Sequence, residues 1–117
     1  MVSIDTFRKM AMQFEEAVEA PHFEKTSFRV SKKIFATMDP GNKRAVVKLP
    51  EIEQSVFCSF DQSIIYPSVG AWGRQGWTVI ELTKIKKEML LDALTVSYCT
   101  VAPKRLSTKY KDNEKGE

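Results

Sequence analysis

Two cysteines and one histidine are all the soft metal-ligand chemistry available to these 117 residues. Cys58 and Cys99 lie far apart, no CxxC or HxxxH spacing is present, and His22 stands alone, which argues against a zinc site. Each cysteine falls in an apolar helical pattern and reads as a buried thiol acting as a small hydrophobe. No apolar run approaches the roughly 18 to 20 residues of a membrane span. Asp5, Arg8, Lys9 and Glu15 interrupt the start where a signal peptide would be apolar, so the chain reads as cytoplasmic with no membrane partner. There is no phosphate-cradling GxxxxGK(S/T), no GxSxG and no cysteine–histidine pair. A general base would have to be His22 or an isolated carboxylate, so the reading is a non-enzyme that calls for no cofactor.

What remains is an ordinary globular composition, 43% hydrophobic and 28% charged, long enough for one domain with its own core. The net charge of +3 is unevenly spread. Between Lys25 and Lys48 stand seven basic residues (Lys25, Arg29, Lys32, Lys33, Lys43, Arg44, Lys48) against the single acid Asp39, so this segment carries +6 and the rest −3. Acids gather before it, at Glu15, Glu16, Glu19 and Glu24. That polarity is the main electrostatic clue to a partner.

Ser3 is a good helix N-cap, and Ile4, Phe7, Ala11, Phe14 and Val18 recur at spacings of three and four, which predicts an amphipathic helix to about Ala20-Pro21. Strands are expected over Thr26–Val30, Ile34–Met38 and, after the turn signal Asp39-Pro40-Gly41-Asn42, Arg44–Leu49. In the last of these Ala45, Val47 and Leu49 face inward and Arg44, Val46 and Lys48 outward, giving a meander with a basic outer face. Pro50-Glu51 starts a short helix to about Asp61 with Ile52, Val56 and Phe60 as its apolar stripe. Ile64–Val69, broken by Pro67, reads as an edge strand or extended connection, and Trp77–Leu82 as the last strand. Lys86–Val101 is the second long helix, stopped by Pro103, and the polar segment 107–117 is expected to be a disordered tail. The fold class is α+β, an antiparallel sheet with two long helices on one face.

One stretch is built rather than passive. Gly70-Ala71-Trp72-Gly73-Arg74-Gln75-Gly76-Trp77-Thr78 packs three glycines, both tryptophans and an arginine into nine residues. Trp77 opens a strand and reads as a lid on the core, whereas Trp72 and Arg74 lie in the turn, where stacking and bidentate anion recognition are available. This loop, the Ser27-Phe28-Arg29-Val30 and Lys33-Ile34-Phe35-Ala36 hairpin, and the closing Val101-Ala102-Pro103-Lys104-Arg105-Leu106 resemble the MmcQ/YjbR family over residues 3–106. The resemblance implies a small bacterial, cytoplasmic protein with a CyaY-like (frataxin-like) α+β fold in one domain, 1–106. It supplies no catalytic residues. Some members are described as carrying a double wing that binds DNA; here the wings would be the Asp39–Lys43 hairpin tip and the Gly70–Trp77 loop.

The candidate nucleic-acid-binding residues are therefore Arg29, Lys43, Arg44, Lys48 and Arg74 on phosphates, with Trp72 stacking on a base or lining a groove. The competing reading is a solvated open face whose lysines protect it from aggregation. As an alternative function, the Trp72/Arg74 loop would hold a protein or small acidic ligand. A third reading, suggested by the frataxin-like resemblance, makes Glu15, Glu16, Glu19 and His22 an acidic ridge for a hard cation.

Overall fold

The computed structural model describes residues 1–115. The chain runs through α1 (Ile4–Met12), β1 (Val18–His22), β2 (Lys25–Val30), β3 (Lys33–Asp39), β4 (Arg44–Lys48), α2 (Glu51–Cys58), β5 (Ile65–Pro67), α3 (Ala71–Arg74), β6 (Trp77–Glu81), α4 (Lys87–Val101) and α5 (Lys104–Lys115). The strands form one six-stranded sheet in the order β1-β2-β3-β4-β6-β5, each neighbouring pair antiparallel. Helices α1 and α4 cover one face, as expected of the α+β class, and no described helix is long and apolar enough to cross a membrane.

Alternation along the strands decides what each face carries. Phe28, Val30, Ala45, Val47, Leu49, Ile80 and Leu82 are all buried under the helices with Phe7, Ala11, Leu90 and Leu94. Between Phe28 and Arg29 the register of β2 against β3 slips, so that Phe35 has no partner residue. Its carbonyl accepts instead from the buried Ser97 hydroxyl of α4, and Ser97 Oγ accepts from the Lys48 N–H at 3.0 Å. One small polar side chain thus satisfies a bulge and a strand end that would otherwise be buried without partners.

The first helix is shorter than its periodicity predicts. Ser3 caps it as expected, its Oγ accepting from Thr6 N–H at 3.0 Å, but it ends at Met12, and Val18–His22 become an edge strand paired with β2. Phe14 is still buried, through a tight turn rather than a helix, and Val18 is exposed. Contacts from the far end of the chain hold that turn. Tyr98 O–H donates to the Glu15 carbonyl at 2.6 Å, and the Glu15 N–H donates to Tyr110 Oη at 2.9 Å. Glu16, at φ +65°, receives both Arg105 guanidinium nitrogens, at 2.9 and 3.0 Å, and its carboxyl lies below the usual range because of that bond.

Those contacts also correct the expected disordered tail. Residues 104–115 form α5, with Leu106 and Ser107 buried and Tyr110 packed on Phe14 and Tyr98; residues 116–117 lie outside the described residues. Polar composition hid a helix whose inward positions are few but anchored. The second correction concerns α2, whose stripe Ile52, Val56 and Phe60 is exposed. Its inward face is Gln54, Phe57 and Cys58, because the Gln54 amide donates to the Gly73 carbonyl at 2.9 Å and Thr78 Oγ1 at 3.1 Å and so fixes the helix rotation.

Tyr98 is fully buried between Phe14 and Phe35, and burial pushes its hydroxyl pKa from the ordinary 10.0 up to about 12. A group whose folded pKa is raised contributes stability below its unfolded pKa and loses it as pH climbs through the folded one. Unfolding free energy should therefore fall between pH 10 and about 12. Tyr98→Phe, already weakened at neutral pH by loss of the bond to Glu15, should show a shallower alkaline decline in denaturant titrations. An unchanged slope would contradict the assignment.

Candidate functional site

Among the described residues, no helix lies over the other face of the sheet. Its central row, read from the register, is Ser27, Thr37, Val46, Val79 and Tyr66, small or apolar side chains with one phenol at the edge. At one end of the strands Arg29 is opposite Ile34 and Lys48 opposite Trp77, with Lys32 in the adjoining β2–β3 turn; Lys33, the first residue of β3, is opposite the buried Val30 and so belongs to the end of the covered side. At the other end Asp39 is opposite Arg44 and Arg44 opposite Glu81.

These two ends differ in charge. Arg44 Nε donates to Glu81 at 2.8 Å and Tyr66 O–H to the same carboxylate at 2.5 Å. The Tyr66 bond, then Arg44, holds Glu81 below the usual carboxylate range. Asp39 is lowered chiefly by the Asn42 side chain, with the Lys25 charge adding to the effect. This end is electrostatically spent. At the opposite end Arg29, Lys32, Lys33 and Lys48 make no ion pair among the described residues. Arg29 Nε donates to Ser27 Oγ at 3.0 Å, and Lys48 Nζ lies 5.1 Å from the centroid of Trp77, within cation–π range.

A groove of about 410 Å³ crosses this face. It runs obliquely from His22 and Lys25 at the β1–β2 turn, over Ile34, Thr37 and Val46, to Trp77, Ser68 and Trp72. Trp77 is half-buried on the outer surface and floors the groove, which corrects its reading as a core lid. Strand parity explains the difference: Thr78 and Ile80, its neighbours in alternation, take the inward positions. Trp72 is 63% exposed and forms the end wall.

Glycines set that wall in place. Gly76, at φ +107°, is pressed against Leu49 so closely that a Cβ would stand 2.2 Å from the Leu49 carbonyl oxygen, and its own carbonyl accepts from the Leu49 N–H at 2.9 Å. At Gly73 a Cβ would stand 2.1 Å from the Ser68 carbonyl oxygen. The segment from Gly70 to Gly76 is thus the one-turn helix α3 clamped between β4, the residues after β5, and Gln54 of α2.

The sequence candidates are partly gathered and partly dispersed. Arg29, Lys48 and Trp72 belong to the groove end described above. Lys43 lies at the β3–β4 turn and Arg44 is held by Glu81, both at the opposite end of β4. Arg74 faces a separate cleft with Glu51, Gln54 and Pro67, so it does not act beside Trp72. The two wing loops accordingly stand a strand length apart, about 14 Å at the usual rise. The acidic ridge is dispersed as well: Glu15 pairs with Lys109 at 2.8 Å, Glu16 with Arg105, and Glu19 with Arg8 at 3.1 Å. Among the described residues no group of three or more His, Cys, Asp or Glu is arranged to hold a metal ion.

Comparison with known proteins agrees with this architecture. The YjbR family model matches residues 12–100. The chain belongs to the YjbR family. A crystal structure of Deinococcus radiodurans protein DR2400, which carries a DUF419 domain, is similar at a TM-score of 0.78 and 22% identity, covering 99% of this chain and 89% of that one. At that identity the likeness speaks for the fold alone. No curated protein matches the chain. None of these names states an activity, so for this YjbR protein the chemistry must be argued from the face itself.

Lys32 and Phe23 belong to the rim of the face without having been among the candidate site residues, and Trp77, read as a core lid, belongs to its floor. Strand parity from Thr78 and Ile80 was the available signal for Trp77. Lys32 follows from placing the β2–β3 turn at the Lys48 end. Phe23 is recognisable only once Val18–His22 is known to be a strand.

Substitution separates the tight glycines from the free one. Gly76→Ala should cost on the order of 3 kcal/mol, combining left-handed strain with overpacking against Leu49. Gly41→Ala, whose Cβ would meet only Asp39 Oδ1 at 3.7 Å, should fall within about 0.5 kcal/mol of the parent. Urea midpoints of the two variants check this; equal midpoints would mean that α3 is not clamped.

Proposed function

We propose that this YjbR protein is a non-catalytic nucleic-acid-binding protein, and that it binds DNA weakly and with little sequence preference on the open sheet face. The observation carrying this reading is the basic end of the open face, Arg29, Lys32 and Lys48, which make no ion pair among the described residues, beside the Trp72/Trp77 groove. Phosphates supply charge to cations that have no acid of their own, and aromatic walls accept any base because every base has a π-face. Arg44 contributes little, since a phosphate would have to compete with Glu81 at 2.8 Å. Lys25 and Lys43 extend the positive field without being placed by a partner. A protein or small acidic ligand of the Trp72/Arg74 loop is less well supported, because those two side chains face different clefts.

Fluorescence anisotropy of labelled DNA across a salt series tests the reading. Micromolar binding is expected at low salt, with log K falling by about 0.9 per log unit of salt for each phosphate neutralised, so about 2.7 for the three cations. Arg29→Gln with Lys48→Gln should lower that slope by about 2. Arg74→Ala should leave affinity and slope unchanged. Absence of binding at low salt would overturn the proposal and mark the charges as a solvated face.

A further inference from the structure

The groove has a second aromatic end. The strands β1 and β2 are joined by a two-residue turn, Phe23-Glu24, closed by His22 opposite Lys25. Phe23 is 94% exposed and takes φ +60°, in the half of conformational space where the first residue of such a turn is normally glycine. A bulky side chain there costs backbone strain, and its ring stands in water, edge-to-face with His22 at a centroid distance of 5.0 Å. The fold gains nothing visible from either cost. His22 itself lines the groove, so the Phe23–His22 pair stands at one end of it and Trp72 at the other.

We infer that the open face is built for single-stranded nucleic acid, with bases stacked on Trp72 and on the Phe23–His22 pair at the two ends of one strand. This rests on the nucleic-acid reading above and narrows it. A duplex hides its base faces and offers the protein phosphates and groove edges; laid over Ile34, Val46 and Trp77 it would desolvate phosphates against an apolar floor. A single strand has free π-faces for the aromatic ends and can turn its phosphates toward Arg29 and Lys48 along the rim. The distance agrees too. From β1 to β6 are four strand spacings, roughly 19 Å, room for a handful of nucleotides and within the range of sheet-based single-strand sites. The face has two stacking positions and little to read base edges with, which fits a strand bound without sequence preference.

The test compares one labelled oligonucleotide of about fifteen nucleotides, single-stranded or annealed to its complement. Wild-type protein should bind the single strand at least tenfold more tightly. Phe23→Gly should weaken single-strand binding about tenfold, the lower part of the range for one lost stack, and leave duplex binding unchanged. The same variant should raise the melting temperature of the free protein, because glycine relieves the turn, so a folding defect cannot imitate the result. Equal affinity for both forms, or undiminished single-strand binding by Phe23→Gly, would overturn this inference while salt-dependent binding kept the nucleic-acid reading. Binding of neither form at low salt would overturn both.

Discussion

Strand alternation sends Ala45, Val47, Thr78 and Ile80 into the helix-covered core and leaves Val46, Val79, Lys48 and Trp77 on a face over which no described helix packs. That one-sided cover is the constraint on which the other features depend. The covered side must bury polar backbone, and Ser97 and Gln54 do so by bonding the Phe35 carbonyl, the Lys48 N–H, the Gly73 carbonyl and Thr78. The uncovered side must stay soluble despite an apolar middle row. It does so with charges at both strand ends, as open antiparallel sheets commonly do. What departs from simple solubility is that only one of those ends is neutralised.

Charge pairing is allotted with some economy. Five acids, Glu15, Glu16, Glu19, Glu81 and Asp5, are each bound to an arginine or lysine, and two of those cations come from α5. At exposed sites such pairs contribute little energy singly. Together with Tyr98 and Tyr110, the Glu15–Lys109 and Glu16–Arg105 pairs fix the turn at residues 13–17, and that turn redirects the chain from helix into β1. With the acids occupied there, Arg29, Lys32 and Lys48 are left without counter-charge beside the tryptophans. Of the central segment's charge, Arg29, Lys32, Lys33 and Lys48 therefore stand at one strand end without an acid, while Lys25, Lys43 and Arg44 stand at the other with Asp39 and Glu81.

Much of the fold was legible because local chemistry and tertiary structure agreed. The Ser3 cap, the Asp39–Asn42 turn, the alternation of residues 44–49 and 77–82 and the Pro103 stop each specify an element without help from distant residues. Where the reading failed, a distant contact decided. Phe14 and Val18 suit a helical stripe, but pairing with β2 and the Tyr98 bond to Glu15 override it. Ile52, Val56 and Phe60 form a faultless apolar stripe that faces water because Gln54 orients α2. Of the site, Arg29, Lys48 and Trp72 could be found from charge and loop composition. The separation of Arg74 from Trp72 follows from α3 being helical, and the capture of Arg44 follows from its register with Glu81; neither is visible before the sheet is assembled.

The central claim is that the open sheet face, and no other surface, is where a partner docks. Amide and indole proton–nitrogen NMR spectra recorded while a short oligonucleotide is added test it most directly. The account predicts shifts at Lys25, Ile34, Thr37 and Val46 and movement of both tryptophan indole signals, with α2 and the Arg74 cleft silent. Shifts clustered on Ile52, Val56 and Phe60, with both indoles unmoved, would contradict it.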